Sequence, residues 1–121
     1  MIDTILDPQI WLVLVALTHA VVGVIIPTDW EDDTSKLVSG FFLLTTVTML
    51  YTAFMMEGEE MARMAVVIAG PVWVWFVIAC AQGLEYNMGK SQTTMSWKEN
   101  APPLLIWGIL ALSGLLGSGW V

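Results

Sequence analysis

Long apolar runs without a charged side chain alternate with short polar segments along the chain. With His19 taken as neutral, the four longest runs lie between Asp7 and Asp29, between Lys36 and Glu57, between Arg63 and Glu85, and after Glu99. Each run holds about 20 residues, the number that an α-helix rising about 1.5 Å per residue needs to cross about 30 Å of hydrocarbon. The pattern therefore predicts four membrane-spanning helices.

The predicted spans cover approximately residues 10–26, 37–56, 64–81 and 103–120. Because the segments between them are short, successive spans are expected to run antiparallel, as the up-down hairpins of a four-transmembrane-helix bundle. No low-complexity segment or long linker interrupts the sequence, which predicts one transmembrane domain over residues 1–121. The predicted fold class is an all-α membrane protein.

Residues typical of helix ends lie at the boundaries of these runs. Asp, Thr and Asn side chains accept hydrogen bonds from the first amides of a helix, and proline fits the first turn. Proline also ends a preceding helix, and glycine permits a left-handed C-cap. We therefore expect helix ends at Asp7, Pro27, Asp33 or Thr34, Gly58 and Asn100.

Composition supports a membrane protein. The chain of 121 residues is 57% hydrophobic and 12% charged, whereas soluble domains carry about 25% charged residues. A small soluble globule is therefore excluded, because its surface must face water. The formal net charge of −7 leaves no basic surface for phosphate groups, which argues against a nucleic-acid partner.

The distribution of basic residues predicts the orientation. Lys36, Lys90 and Lys98 lie in the first and third connecting segments, whereas Arg63 is alone in the second. Since Lys and Arg are enriched in cytoplasmic loops, the first and third segments are expected in the cytoplasm and both termini outside. The first run is expected to stay in the protein as a span, because no basic residue precedes it and no small-residue cleavage site follows it.

His19 is an ionisable residue near the middle of the first predicted span, a placement that is rare in membranes and often functional. Three roles are open. The imidazole can be neutral and hydrogen-bonded to a hydroxyl on a neighbouring helix, it can relay protons or line a pore, or it can be the axial ligand of a haem or chlorophyll-type pigment. We favour the first role, so no cofactor is predicted.

Three threonines of the second span form one hydroxyl stripe, because Thr45, Thr48 and Thr52 recur at helical spacing. If neighbouring spans are antiparallel, the stripe lies level with His19, and Trp73 of the third span lies at the same depth. These five residues predict a polar site at mid-membrane. The simpler alternative is that each threonine hydroxyl bonds the carbonyl four residues earlier in its own helix.

The turn between the second and third spans gathers thioethers and carboxylates. Thioethers suit Cu(I) and carboxylates suit hard cations, so the mixture indicates no single metal and no metal site is predicted. The weak candidates for a peripheral site are Met55, Met56, Glu57, Glu59 and Glu60. Cys80 is the only cysteine and lies in an apolar run, so we expect an unreactive buried side chain.

Small residues recur four positions apart on two of the spans. Such pairs let membrane helices approach closely, either within one chain or between copies. The predicted packing pairs are Ala16 with Ala20, Ser113 with Gly117, and Gly114 with Ser118.

Three functions are compatible with these features. A non-catalytic accessory or scaffold subunit of a larger membrane assembly best fits a short chain with few polar groups in its spans. An oligomeric channel or small transporter would use His19 and the threonine stripe, and a pigment or haem protein would use His19. An enzyme is disfavoured, because the acidic residues lie between the spans and no nucleophile–base pair is recognisable. The expected partners are the lipid bilayer and other membrane subunits or further copies of the chain.

Overall fold

Four helices and a short β-hairpin form the computed structural model, which describes residues 5–87 and 92–121. The helices are α1 (Pro8–Ala20, extended by a π-helical turn, Val21–Ile25), α2 (Asp33–Met55), α3 (Gly58–Gln82) and α4 (Ala101–Gly117). Between α3 and α4, strands β1 (Glu85–Asn87) and β2 (Gln92–Thr94) pair antiparallel. Lys90, on which the predicted orientation partly rests, lies outside the described residues.

Three of the helices are long and apolar enough to cross a membrane. With its π-turn α1 has 18 residues, while α2 has 23 and α3 has 25, so three of the predicted spans are helices of sufficient length and apolar composition. The fourth helix is also apolar but has 17 residues. It ends at Gly117 rather than near Trp120, and Gly119 beyond it adopts a left-handed conformation with a φ of +77°.

The start of α2 differs from the predicted one. Its cap is Asp32, whose carboxylate accepts a hydrogen bond from the Ser35 amide at 2.8 Å, and not Asp33 or Thr34. A capping residue needs an extended backbone, and Asp32 has one, with φ of −105° and ψ of 121°. Asp33 is instead the first residue of the helix, where its carboxylate pairs with Lys36 at 3.2 Å.

The other predicted helix ends agree with the structure to different degrees. Asp7 caps α1 as predicted. Gly58 is left-handed with φ of +59°, but it is the first residue of α3, and the C-cap of α2 is an extended Met56. Asn100 precedes α4 without a side-chain capping bond, and its side-chain Nδ2 donates to the Ser96 carbonyl at 2.9 Å.

The core lies where α1 meets the other three helices. α1 packs against α2, α3 and α4, and the broadest contact in the molecule joins α3 to α4. Small side chains dominate the α3 side of the core, which lets the helix backbones approach closely. The buried core residues are Leu12, Val15, Ala16, Met49, Ala53, Ala65, Ala69, Trp107 and Leu110. A second, smaller core beside the hairpin contains Ala79, Cys80 and Met95.

Candidate functional site

His19 packs against two aromatic rings that neighbouring helices supply. Its ring centroid is 4.8 Å from that of Phe42 on α2 and 5.3 Å from that of Trp107 on α4, with the indole nearly perpendicular to the imidazole. We call Phe42 and Trp107 the aromatic cage. The imidazole Nε2 atom is buried and has no hydrogen-bond partner among the described residues. The side chain as a whole is half-buried, and the contacts described for it are with these two aromatic rings.

The π-turn begins two residues after His19 and approaches the same cage. A Cβ on Gly23 would lie 2.5 Å from Cδ2 of the Phe42 ring, so glycine is needed for the ring to fit. Amides of a π-helix bond the carbonyl five residues earlier, as the Ile26 amide does with the Val21 carbonyl at 3.0 Å. Phe42 is thus in contact with both the π-turn and His19.

The threonine stripe does not bond to His19. Thr45, Thr48 and Thr52 each donate to the carbonyl four residues earlier in α2, at 2.8 to 3.0 Å. Thr45 is half-buried, Thr48 is exposed and Thr52 is buried. The hydrogen bond that we expected between His19 and Thr45 or Thr48 is absent among the described residues. The physical reason is that a threonine hydroxyl inside a helix can bond its own backbone, which leaves the aromatic rings as neighbours of the imidazole.

Trp73 makes its polar contact with α4. The indole Nε1 donates to the Leu104 carbonyl at 3.0 Å, and a Cβ on Gly108 would lie 2.9 Å from the same nitrogen. The predicted polar layer of His19, the threonine stripe and Trp73 is therefore not joined by hydrogen bonds among the described residues. The threonine and tryptophan donors bond to backbone carbonyls, and the His19 Nε2 atom bonds to nothing described.

The small residues of α4 are used inside the chain. A Cβ on Gly114 would lie 2.7 Å from the Ala62 carbonyl oxygen, and a Cβ on Gly117 would lie 3.2 Å from the Ala62 Cβ. This side of α4 therefore packs against α3. The other predicted packing residues are buried, namely Ala16, Ser113 and Ser118, or half-buried, namely Ala20.

The first turns of α3 form a junction with the end of α4. Glu59 pairs with Arg63 at 3.2 Å. Arg63 also donates from Nε to the Ser118 carbonyl at 2.8 Å and lies 5.5 Å from the centre of the Trp120 ring. Within the described ranges no three His, Cys, Asp or Glu side chains are grouped to hold a metal ion. The other weak candidates lie exposed or half-buried near the helix ends: Met55, Met56, Glu57 and Glu60.

A buried hydroxyl cluster between α1 and α2 was not predicted. Thr28 and Ser39 share a hydrogen bond, and Ser35 accepts one from the Asp29 amide at 2.8 Å. All three hydroxyl residues are buried. In the sequence, the cluster is indicated only by small hydroxyl side chains beside an acidic turn. A solvated loop has the same pattern, so the sequence does not distinguish the two. The cluster fixes the segment that connects α1 to α2, the two helices that carry His19 and Phe42.

No protein family, curated protein or solved structure matches the chain. An axial ligand needs a ring nitrogen that is open to the metal ion, whereas the Nε2 atom of His19 is buried between close neighbours. The residues present do not fit a haem or pigment bound through this nitrogen.

Proposed function

We propose that the protein is a small multipass integral membrane protein that acts as a non-catalytic accessory or scaffold subunit of a larger membrane assembly. The observation that carries this proposal is the outer face of α2, which is exposed along the length of the helix. Its members are Lys36, Leu37, Gly40, Phe41, Leu44, Thr48 and Tyr51.

The outer face of α2 suits a neighbouring membrane helix better than it suits lipid. Nothing lies within 4 Å of a Cβ placed on Gly40, and an open depression surrounds this glycine. Thr48 and Tyr51 direct hydroxyl-bearing side chains outward on the same helix. Glycine lets a second backbone approach, and hydroxyls can hydrogen-bond across a helix pair. The exposed face of α1, with Leu17 and Val22, is aliphatic by comparison, which supports α2 as the contact with a partner.

In the proposed topology α4 is the fourth span and the spans form antiparallel pairs. The contacts of α3 with α4 support this, since Trp73 meets Leu104 whereas Ala62 meets Gly114. At about 1.5 Å per residue the 17 residues of α4 cover about 25 Å. Local thinning of the bilayer accommodates a helix of this length. Both termini then lie on one side, and the Lys and Arg distribution favours the outside.

Native mass spectrometry in a mild detergent tests the assembly role. Protein purified from its native membranes is expected to carry a mass above that of one chain. Gly40→Leu adds bulk to the outer face of α2, where the chain itself offers no obstacle, and should reduce the species to a single chain.

The matched control is Leu17→Phe, which enlarges an exposed side chain on α1 outside the π-turn and should leave the assembly intact. A wild-type protein that is a single chain in both mild detergent and lipid nanodiscs would contradict the proposal. Equal loss of assembly in both variants would contradict the assignment of the contact to α2.

A further inference from the structure

Three unusual features lie together in the C-terminal part of α1. His19 buries a ring nitrogen that has no hydrogen-bond partner among the described residues. The π-turn Val21–Ile25 begins two residues later, and Gly23 within it is pressed against Phe42. Buried polar atoms are nearly always hydrogen-bonded, so each exception needs a reason. Short π-helical turns are also rare and are frequent at functional sites.

Packing alone does not account for a histidine at this position. A leucine would fill the space beside the aromatic cage without burying an unpaired nitrogen. What histidine adds is a proton-binding group whose ordinary pKa of about 6.5 lies near physiological pH.

Few charged groups are available to compensate a proton on the ring. α4 carries no charged residue, and Asp7 lies at the start of α1. The charged residues of α2 and α3 are confined to their first two turns, at Asp33, Lys36, Glu59, Glu60 and Arg63. The other titratable groups on these helices are Tyr51, exposed on the outer face of α2, and Cys80, buried in the smaller core. No ion pair joins His19 to any described residue.

A proton on the imidazole therefore creates a charge among apolar neighbours. Burying an unpaired charge in such surroundings is strongly unfavourable. Attraction to the faces of the aromatic rings offsets a small part of this cost. The protonated ring is driven towards water or lipid headgroups, and a rotation of α1 would carry it out of the cage.

The π-turn provides a way for α1 to move. The Val21 amide bonds the carbonyls of both Leu17 and Thr18, so α-helical and 3₁₀-helical pairings share this donor just before the π-helical pairing begins. Replacing π-helical pairing by α-helical pairing changes the register by one residue. With 3.6 residues per turn, one residue corresponds to a rotation of about 100° about the helix axis. A rotation of this size carries a side chain from one helix neighbour to the next.

We propose that His19 and the π-turn Val21–Ile25 form a proton-operated switch. In the neutral form the imidazole lies in the aromatic cage and the π-turn is present. Binding of a proton expels the ring from the cage, and the π-turn rearranges to let α1 rotate. The switch is a property of one chain, so it goes beyond the assembly role and does not depend on it.

Nuclear magnetic resonance of the full chain in lipid nanodiscs tests the switch. The chain has one histidine, so isotope-labelled histidine reports on His19 alone. A titration between about pH 8 and pH 4 brackets the ordinary histidine pKa. We expect the amide resonances of Val21–Ile25 to shift with the same midpoint as the imidazole resonances.

Variants separate the switch from a general effect of acid. His19→Leu cannot bind a proton and should abolish the pH-dependent shift of the π-turn amides. Thr18→Ala is the matched control on the same helix, because the Thr18 hydroxyl bonds the nearby Leu14 and Val15 carbonyls, and it should keep the full shift. Phe42→Leu loosens the cage. At neutral pH it should move the π-turn resonances towards the positions that they have in the wild-type protein at acid pH. This variant tests the switch if His19→Leu does not fold.

Three outcomes overturn the proposal. The first is an imidazole that gains its proton while the π-turn resonances stay unchanged. The second is an imidazole that gains no proton anywhere in the titrated range. The third is a pH-dependent shift of the π-turn that persists in His19→Leu.

Discussion

Two helical glycines, Gly114 and Gly40, differ in what a side chain at each position would meet. Gly114→Ala places a Cβ 2.7 Å from the Ala62 carbonyl oxygen. It is expected to lower the free energy of unfolding by about 1–3 kcal/mol, the usual cost of overpacking. Gly40→Ala meets nothing within 4 Å and should raise the free energy of unfolding by about 0.5–1 kcal/mol, because alanine loses less backbone entropy than glycine.

Reversible unfolding in mixed micelles measures both glycine variants under the same conditions. Alanine at Gly40 is the control for the general effect of removing a helical glycine. If both substitutions change the free energy of unfolding by the same amount, the close approach of α4 to α3 at Gly114 does not make a side chain there unfavourable.

The position of His19 is predictable from the sequence, whereas its neighbours in space are not. An ionisable residue in an apolar run is recognisable from its neighbours along the chain, so the sequence alone indicates this position. Its spatial neighbours Phe42 and Trp107 lie in other helices, where either ring would also suit a lipid-facing surface. The threonines were the more obvious polar partners, but their hydroxyls bond their own helix.

Among the elements, the start of α3 and the end of α4 are joined by a hydrogen bond from Arg63. Arg63→Gln removes the charge-assisted hydrogen bond to the Ser118 carbonyl and should cost about 1.5 kcal/mol of unfolding free energy. We also expect faster hydrogen exchange at the Trp120 amide, which bonds the Ser118 hydroxyl at 3.0 Å. Mass-spectrometric exchange of the C-terminal peptide measures the local effect.

The control for Arg63 is Glu59→Gln. It removes the exposed ion pair and leaves the bond from Arg63 to Ser118 in place. Since exposed pairs contribute little, exchange at the end of α4 should stay near wild type. Equal acceleration in both variants would show that the carboxylate, rather than the bond to Ser118, holds the junction.

The limits of the helices were less predictable than their existence. A charge-free run marks the part of a helix that suits lipid, and the helix itself can continue into polar residues. For this reason α3 begins at Gly58, six residues before the predicted span from residue 64, and includes Glu59, Glu60 and Arg63. The π-turn in α1 left one trace in the sequence, the isolated Gly23, and glycine is too common in membrane helices to indicate a π-turn.

For the whole molecule, the proposed four-span topology predicts that both termini lie on the same side of the membrane. Tags at the two ends of the full chain should react together with a membrane-impermeant reagent in intact cells, because the Lys and Arg distribution favours the outside. Permeabilised cells provide the control that both tags can react. Labelling of one tag alone would show that α4 does not cross, and labelling of neither would reverse the orientation only.

The sequence by itself determined that the chain has helices suited to a membrane and roughly where they lie. Hydropathy and helix length are local properties, because each residue contributes independently of its distant neighbours. Only the tertiary structure decided that Gly114 meets Ala62, that Arg63 meets Ser118 and that His19 lies beside Phe42 and Trp107. Helices that are apolar on all sides have no polar face to show which side packs inward. Their rotation and depth are set by close packing between residues far apart in the chain, and that information appears only when the helices are assembled.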